Sequence, residues 1–243
     1  MPHTPWRCHN PLRIRSRRMR TTGQEGLTLI ELLVASVLLL VVMGAVYGIW
    51  SGLQNTYAFT NDDMVAQEQA RMAMGEMVES IRTGRIPPSA PTETYNQVIP
   101  IAQRNSITVW SDVDKDINHD LELIRYRVDT THRILYRDEA TIAGSHIDWT
   151  SERLVSPNVS NGENTGDLSD AALWLLSYYD ANGNRLAFDD EDGNDPGPIH
   201  NEIPDPTAIR EVRISLLVDI YADRAPITHQ LTSVVQPRNL RQY

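Results

Sequence analysis

Residues 27–50 read LTLIELLVASVLLLVVMGAVYGIW, and this stretch decides the architecture. After Glu31, the 19 residues from Leu32 to Trp50 carry no charge. As a helix rising about 1.5 Å per residue they span roughly 28 Å, close to the roughly 30 Å hydrocarbon core of a bilayer. Tyr47 and Trp50 stand at the far end, where aromatic rings favour the membrane–water interface. Arginines flank only the near end, so the N-terminus is expected to stay cytoplasmic while the rest crosses over. A soluble core helix is rarely so long and so apolar. A secretory signal peptide needs small residues at its cleavage site, and Tyr47-Gly48-Ile49-Trp50-Ser51 offers bulky ones. A lipoprotein signal needs a Cys after the apolar run, but the single Cys8 precedes it. A plain signal anchor fits the run and leaves Glu31 unexplained.

The rest of the chain is built differently. It has 243 residues, 41% hydrophobic and 22% charged, which excludes both a disordered tail and a multi-span membrane protein. One ordinary globular domain with an appendage fits this length. A lone Cys excludes an internal disulfide framework and a cysteine zinc cage. Residues 1–26 hold six Arg and one acid, a net of +5; the other 217 residues hold 16 basic and 31 acidic groups, a net of -15. A basic head on an acidic body is the pattern of a membrane-targeting leader. The acidic body argues against nucleic acid as a partner.

Glu31 is the informative residue. A carboxylate inside an apolar run costs several kcal/mol, of order 3, unless it is neutralised or paired. A cut after Gly26 would create a new amino terminus at Leu27, one helical turn from Glu31. That amine, on the same chain or a staggered neighbour, would neutralise the carboxylate, most strongly where the local dielectric is low.

The run Gly26-Leu27-Thr28-Leu29-Ile30-Glu31-Leu32-Leu33-Val34-Ala35 closely resembles the processing site of type IV prepilins and type II secretion pseudopilins. In that family a prepilin peptidase in the inner membrane cuts after the Gly and methylates the new terminus. The Glu that becomes fifth in the cleaved chain guides subunit docking. The resemblance implies that Gly26 ends the leader, Leu27 is the methylated terminus and Glu31 the docking carboxylate. Leu27 replaces the more usual Phe, a mild change between large apolar residues. The leader is long, and Met19 begins a shorter one, so Met19 is an alternative start.

Beyond the membrane the helix is expected to continue. Leu53, Tyr57, Met64, Met72 or Met74, Met77, Val78 and Ile81 recur near helical spacing. Thr83-Gly84 and Pro87-Pro88 close it, while Gly52 and Thr60–Asp63 are places for a bend. A continuous helix from 27 to 82 would be roughly 84 Å long. The methionine stripe reads as core packed against a sheet.

After residue 90 short strands follow: Ser106–Trp110, Leu121–Val128, Arg133–Arg137, a longer apolar stretch Ala171–Tyr179, and a closing pair Ile209–Tyr221 and Thr228–Val235. Asp180-Ala-Asn182-Gly183-Asn184 reads as a hairpin turn, since Asn-Gly accepts positive φ. Residues 189–206 read as an exposed loop. The expected fold class is α+β, a long N-terminal helix laid on a mostly antiparallel sheet. The divisions are a leader over 1–26, a transmembrane helix over 27–50, an amphipathic continuation over 51–86 and a β-rich extracytoplasmic domain over 87–243. Tyr178-Tyr-Asp-Ala-Asn-Gly, the final strand pair and the Pro237-Arg-Asn-Leu tail resemble, more loosely, minor pilins of the PilW type and the J-type minor pseudopilin.

No sequence motif supports an enzyme: there is no phosphate loop, no nucleophile elbow and no His-Glu-x-x-His pair. One acidic cluster, Asp112, Asp114, Asp116, Asn118 and Asp120, places oxygens at every second position, as a calcium loop does. Ile117 and Leu123 break the EF-hand pattern, and the plainer reading is a solvated acidic turn; calcium is the one cofactor left open. The functional expectation is a minor pilin or pseudopilin of the inner membrane, N-terminus cytoplasmic, with its globular domain in the periplasm. Its partners would be the prepilin peptidase/methyltransferase, membrane lipid and other major and minor pilins or pseudopilins. The alternative is a signal-anchored periplasmic binding or sensing module that does not polymerise.

Overall fold

A computed structural model describes residues 28–112, 121–162, 174–189, 201–220 and 229–238. Its first element, α1, runs from Leu29 to Thr83 as 55 residues of helix. The chain divides into two compact units, Met1–Asn55 and Thr56–Tyr243, with the boundary inside α1. In the first unit residues 29–55 form helix, and its large apolar side chains, Leu32, Leu38, Leu40 and Ile49 among them, are exposed. This helix is long and apolar enough to cross a membrane.

The second unit holds the core. The helix buries Ala66, Ala70, Ala73, Met74, Met77 and Ile81 there. These positions recur every three or four residues and so share one face. Alanines at three of them let the helix lie close to the sheet. Leu53, Tyr57, Met64 and Met72, grouped with Met77 and Ile81 in the sequence reading, are exposed instead. The methionine stripe is therefore split between two faces, because the alanines, weak in a hydropathy pattern, define the inward one. The helix is unbroken through Thr60–Asp63: Thr60 Oγ1 donates back to the Thr56 carbonyl at 2.9 Å, and Asp63 Oδ1 meets His229 Nε2 at 2.6 Å.

Gly84 lets the chain leave the helix. A Cβ there would stand 2.8 Å from Val98 Cγ1 and 3.1 Å from Val109 Cγ2, too close for any other residue without movement.

Five antiparallel strands form one sheet: β1 (Ile101–Ala102), β2 (Ser106–Ser111), β3 (Glu122–Asp129), β4 (Ile134–Ala143) and β5 (His146–Pro157), in chain order. A second antiparallel sheet holds β6 (Leu176–Tyr179), β7 (Glu211–Val218) and β8 (His229–Val235), also in order. Both sheets and the helix contribute to one core, in which Ile107, Ile124, Tyr126, Leu135, Val212 and Ile214 are fully buried. The expected α+β arrangement, a long N-terminal helix packed on antiparallel sheets, is the one observed.

Polar groups fasten helix to sheet. Tyr126 on β3 places its hydroxyl 2.9 Å from Ser80 Oγ and 3.1 Å from Glu76 Oε1. Glu76 is also paired with Arg153 of β5 and lies 3.7 Å from Arg137 Nε of β4. Burial pushes the Tyr126 hydroxyl far above its ordinary range, so it is a neutral donor at every physiological pH.

Several expectations about strands need correction. β5, the longest strand at 12 residues, was not anticipated, since Arg, Asp, Glu and Ser break its alternation. It follows β4 through a tight turn at Gly144, whose φ is 65°. At the Asn-Gly turn only Gly183 takes positive φ, 81°. The turn is organised instead by the Asp180 carboxylate, which accepts from Asn182 N at 2.7 Å, Asn184 N at 2.9 Å and Asn184 Nδ2 at 3.0 Å. Beyond it a single bridge, Tyr179 to Arg185, replaces a full returning strand. The stretch read as an exposed loop over 189–206 is folded in at its described end: Ile203 is buried and its amide donates to the Ala102 carbonyl at 2.8 Å. Ala171–Leu173 lie outside the described residues.

Candidate functional site

The head of α1 is a capping box. Thr28 precedes the helix, and its carbonyl accepts the first helical bond from Leu32 N at 3.2 Å. Its hydroxyl accepts from Glu31 N at 3.4 Å, while Glu31 Oε2 accepts from Thr28 N at 2.9 Å and from Thr28 Oγ1 at 2.9 Å. The spacing Thr-x-x-Glu is the sequence signature of this reciprocal cap. It satisfies two of the donors that a helix start otherwise leaves open. A carboxylate in the first turn is also favoured by the positive end of the helix dipole.

Glu31 therefore has partners on its own chain, which the sequence reading missed. That reading left the carboxylate to wait for an amine. The signal lies in the spacing itself, Thr28 standing three residues before Glu31. Both contacts fall on Oε2, so the cap is made with one of the two carboxylate oxygens. Thr28 and Glu31 are exposed, as is the apolar helix surface that follows them. Gly26 and Leu27 lie outside the described residues.

Of the acidic cluster, Asp112 is described. Its Oδ2 accepts from Arg85 Nη2 at 2.9 Å, just after the end of β2, which ties it to the chain leaving α1. Asp114, Asp116, Asn118 and Asp120 lie outside the described residues. Among the described residues no group of three or more His, Cys, Asp or Glu is placed to hold a metal ion.

Residues 21–47 match the family model described as the prokaryotic N-terminal methylation motif. The match supports a type IV pilin-like precursor. It spans the Gly26–Leu27 junction, the Thr28–Glu31 cap and most of the apolar run. The motif implies processing by prepilin peptidase and association with other pilins, and chains that carry it are generally structural subunits rather than enzymes. The single N-terminal apolar helix suits a membrane anchor. No curated protein matches the chain.

Proposed function

We propose that this chain is a minor pilin or pseudopilin, cut by prepilin peptidase after Gly26 and N-methylated at Leu27. It joins or primes a type IV pilus or a type II secretion pseudopilus. The leader keeps the N-terminus cytoplasmic, the apolar half of α1 spans the inner membrane, and the domain over 87–243 lies in the periplasm and then on the fibre. The observation that carries this reading is Glu31 at the head of an exposed apolar helix within the matched motif. One of its oxygens already holds the cap. The other is left to accept an amine, the natural partner being the Leu27 terminus of a neighbouring subunit. As helices pack and water is excluded, that attraction strengthens.

Subtype assignment to the PilW or J type follows only from the looser likeness of the C-terminal strands and tail. The acidic loop from Asp112 to Asp120 stays a proposed calcium ligand set of second rank.

N-terminal sequencing and mass measurement of membrane-extracted protein test the processing. The expected terminus is methyl-Leu27, and Gly26→Ala is expected to leave the precursor uncut. With cleavage intact, Glu31→Ala is expected to lower incorporation into fibres at least tenfold. An uncut wild-type chain with no effect of either change on pili or secretion would instead identify a signal-anchored periplasmic module.

A further inference from the structure

The five-stranded sheet has a face turned away from α1, and its chemistry departs from that of the acidic chain. Side chains alternate along β3, so Ile124 and Tyr126 enter the core while Arg125 and Arg127 take the outer side. The register sets Arg125 opposite Asp138 of β4. Both guanidiniums converge on that carboxylate, with Arg125 Nη2 at 2.6 Å and Arg127 Nε at 2.8 Å from Oδ2. The Asp138 side chain is 3% exposed, and each arginine is 29% exposed. The acid thus lies beneath two cations that reach the surface. Every bond to it uses Nε or Nη2, so the Nη1 amines are not needed to hold it. Glu152 joins Arg127 from the rim, but its side chain is 55% exposed and the pairing is screened.

Over these arginines lies a concavity of about 430 Å³, lined by Arg125, Arg127, Thr108, Tyr95, Trp149 and Asn201 among others. Its lining contains two arginines and neither Asp nor Glu among the described residues, in a chain of net charge -10. Trp149 holds the Arg125 guanidinium 4.2 Å from its ring centre, a cation–π contact that helps to fix that cation in the wall. Thr108 is fully buried, and its hydroxyl meets no hydrogen-bond partner. Buried hydroxyls are nearly always partnered, so this one is an unspent polar group in the wall of the concavity.

We propose that this outer-face concavity binds a sugar acid, a hydroxylated ring bearing one carboxylate. With the Nε and Nη2 edges spent on Asp138, the two Nη1 amines remain, one for each oxygen of a carboxylate. Asp138 and the rim carboxylate of Glu152 together offset the two cations, so the site carries no surplus charge for a phosphate dianion, and a monoanion competing with the exposed Glu152 is the better match. Hydroxyls and amides in the remaining wall suit a polar ring, and Trp149 and Tyr95 give it flat surfaces to rest against. Most of the lining residues carry a polar group beside their apolar surface, which suits an amphipathic ring better than a wholly apolar ligand.

Calorimetric titration of the full chain in detergent, with sodium glucuronate as the probe, tests this. Saturable binding is expected, with glucose and inorganic phosphate each roughly tenfold weaker or worse. Arg127→Gln is expected to weaken glucuronate binding about tenfold and to lower the melting temperature, since it strips a partner from Asp138, and the near-isosteric Thr108→Val to weaken binding about threefold without lowering it. Thr108→Val decides the matter if Arg127→Gln fails to fold. Absence of heat with glucuronate overturns the proposal. So does binding of glucose or phosphate as tight as that of glucuronate, or affinity unmoved in a folded Thr108→Val.

Discussion

Thr28 sets how α1 begins. Its hydroxyl accepts from Glu31 N and donates to Glu31 Oε2, so losing the hydroxyl removes the side-chain half of the cap, while the backbone amide of residue 28 still donates to Glu31 Oε2. Thr28→Ala is expected to loosen the first turn by about 1 kcal/mol, while Thr28→Ser retains it. Amide hydrogen exchange at Glu31 and Leu32 in detergent micelles measures this: fraying in the Ala variant, protection in the Ser variant.

Glu202 offers a contrast in sign. Burial pushes its carboxyl above the ordinary range, and the neighbouring Asp189 charge pushes the same way. The folded protein therefore holds this proton more tightly than the unfolded chain does. Stability from this group is present below the unfolded value of about 4.3 and is lost as pH rises through the folded one. Glu202→Gln is accordingly expected to raise the melting temperature at neutral pH. The gain should fade below about pH 4; thermal denaturation across pH reads it directly.

At the scale of the element, α1 shows two kinds of methionine. Met77 is fully buried, whereas Met72, five residues earlier, is 62% exposed. Met77→Ala is expected to cost about 2–5 kcal/mol in denaturant unfolding, and Met72→Ala less than about 0.5. If Met72 also proves costly, the helix sits on the sheet by another face.

The same helix shows what can be read from sequence. Its length and its end at Thr83-Gly84 follow from apolar content, helical spacing and breakers, whereas Thr60–Asp63, a place for a bend by its residues, stays helical. Its inward face was misread, because alanine contributes little to hydropathy yet permits the closest approach to a sheet. β2, β3, β7 and β8 alternate cleanly and were legible. β5 was not, because an edge strand answers to solvent on much of its length and loses its apolar rhythm. The cap was written in the chain at Thr28 and Glu31. The outer-face concavity was not, since it depends on the register that sets Arg125 against Asp138 and brings Trp149 alongside. Alternation on β3 shows only that the two arginines share a side.

For the whole molecule, the division within α1 has a direct consequence. The buried apolar cluster draws every member from Ala66 onward, within the unit Thr56–Tyr243. A chain beginning at Thr56 is expected to unfold cooperatively, with a melting temperature within a few degrees of the full chain in detergent. Calorimetry on both checks this, and a broad, non-cooperative transition in the shorter chain would show that the apolar half helps to hold the core.

The two irregularities in the pairing of β4 with β5, at Leu135/Tyr136 and Glu139/Ala140, bear on what such a subunit must avoid. A long outermost strand exposes backbone donors and acceptors that invite a stranger's strand. Each bulge twists the ribbon, and Asp148, Glu152 and Arg153 stud it with charge. The outer edge of the sheet is thereby guarded against amyloid-like adhesion.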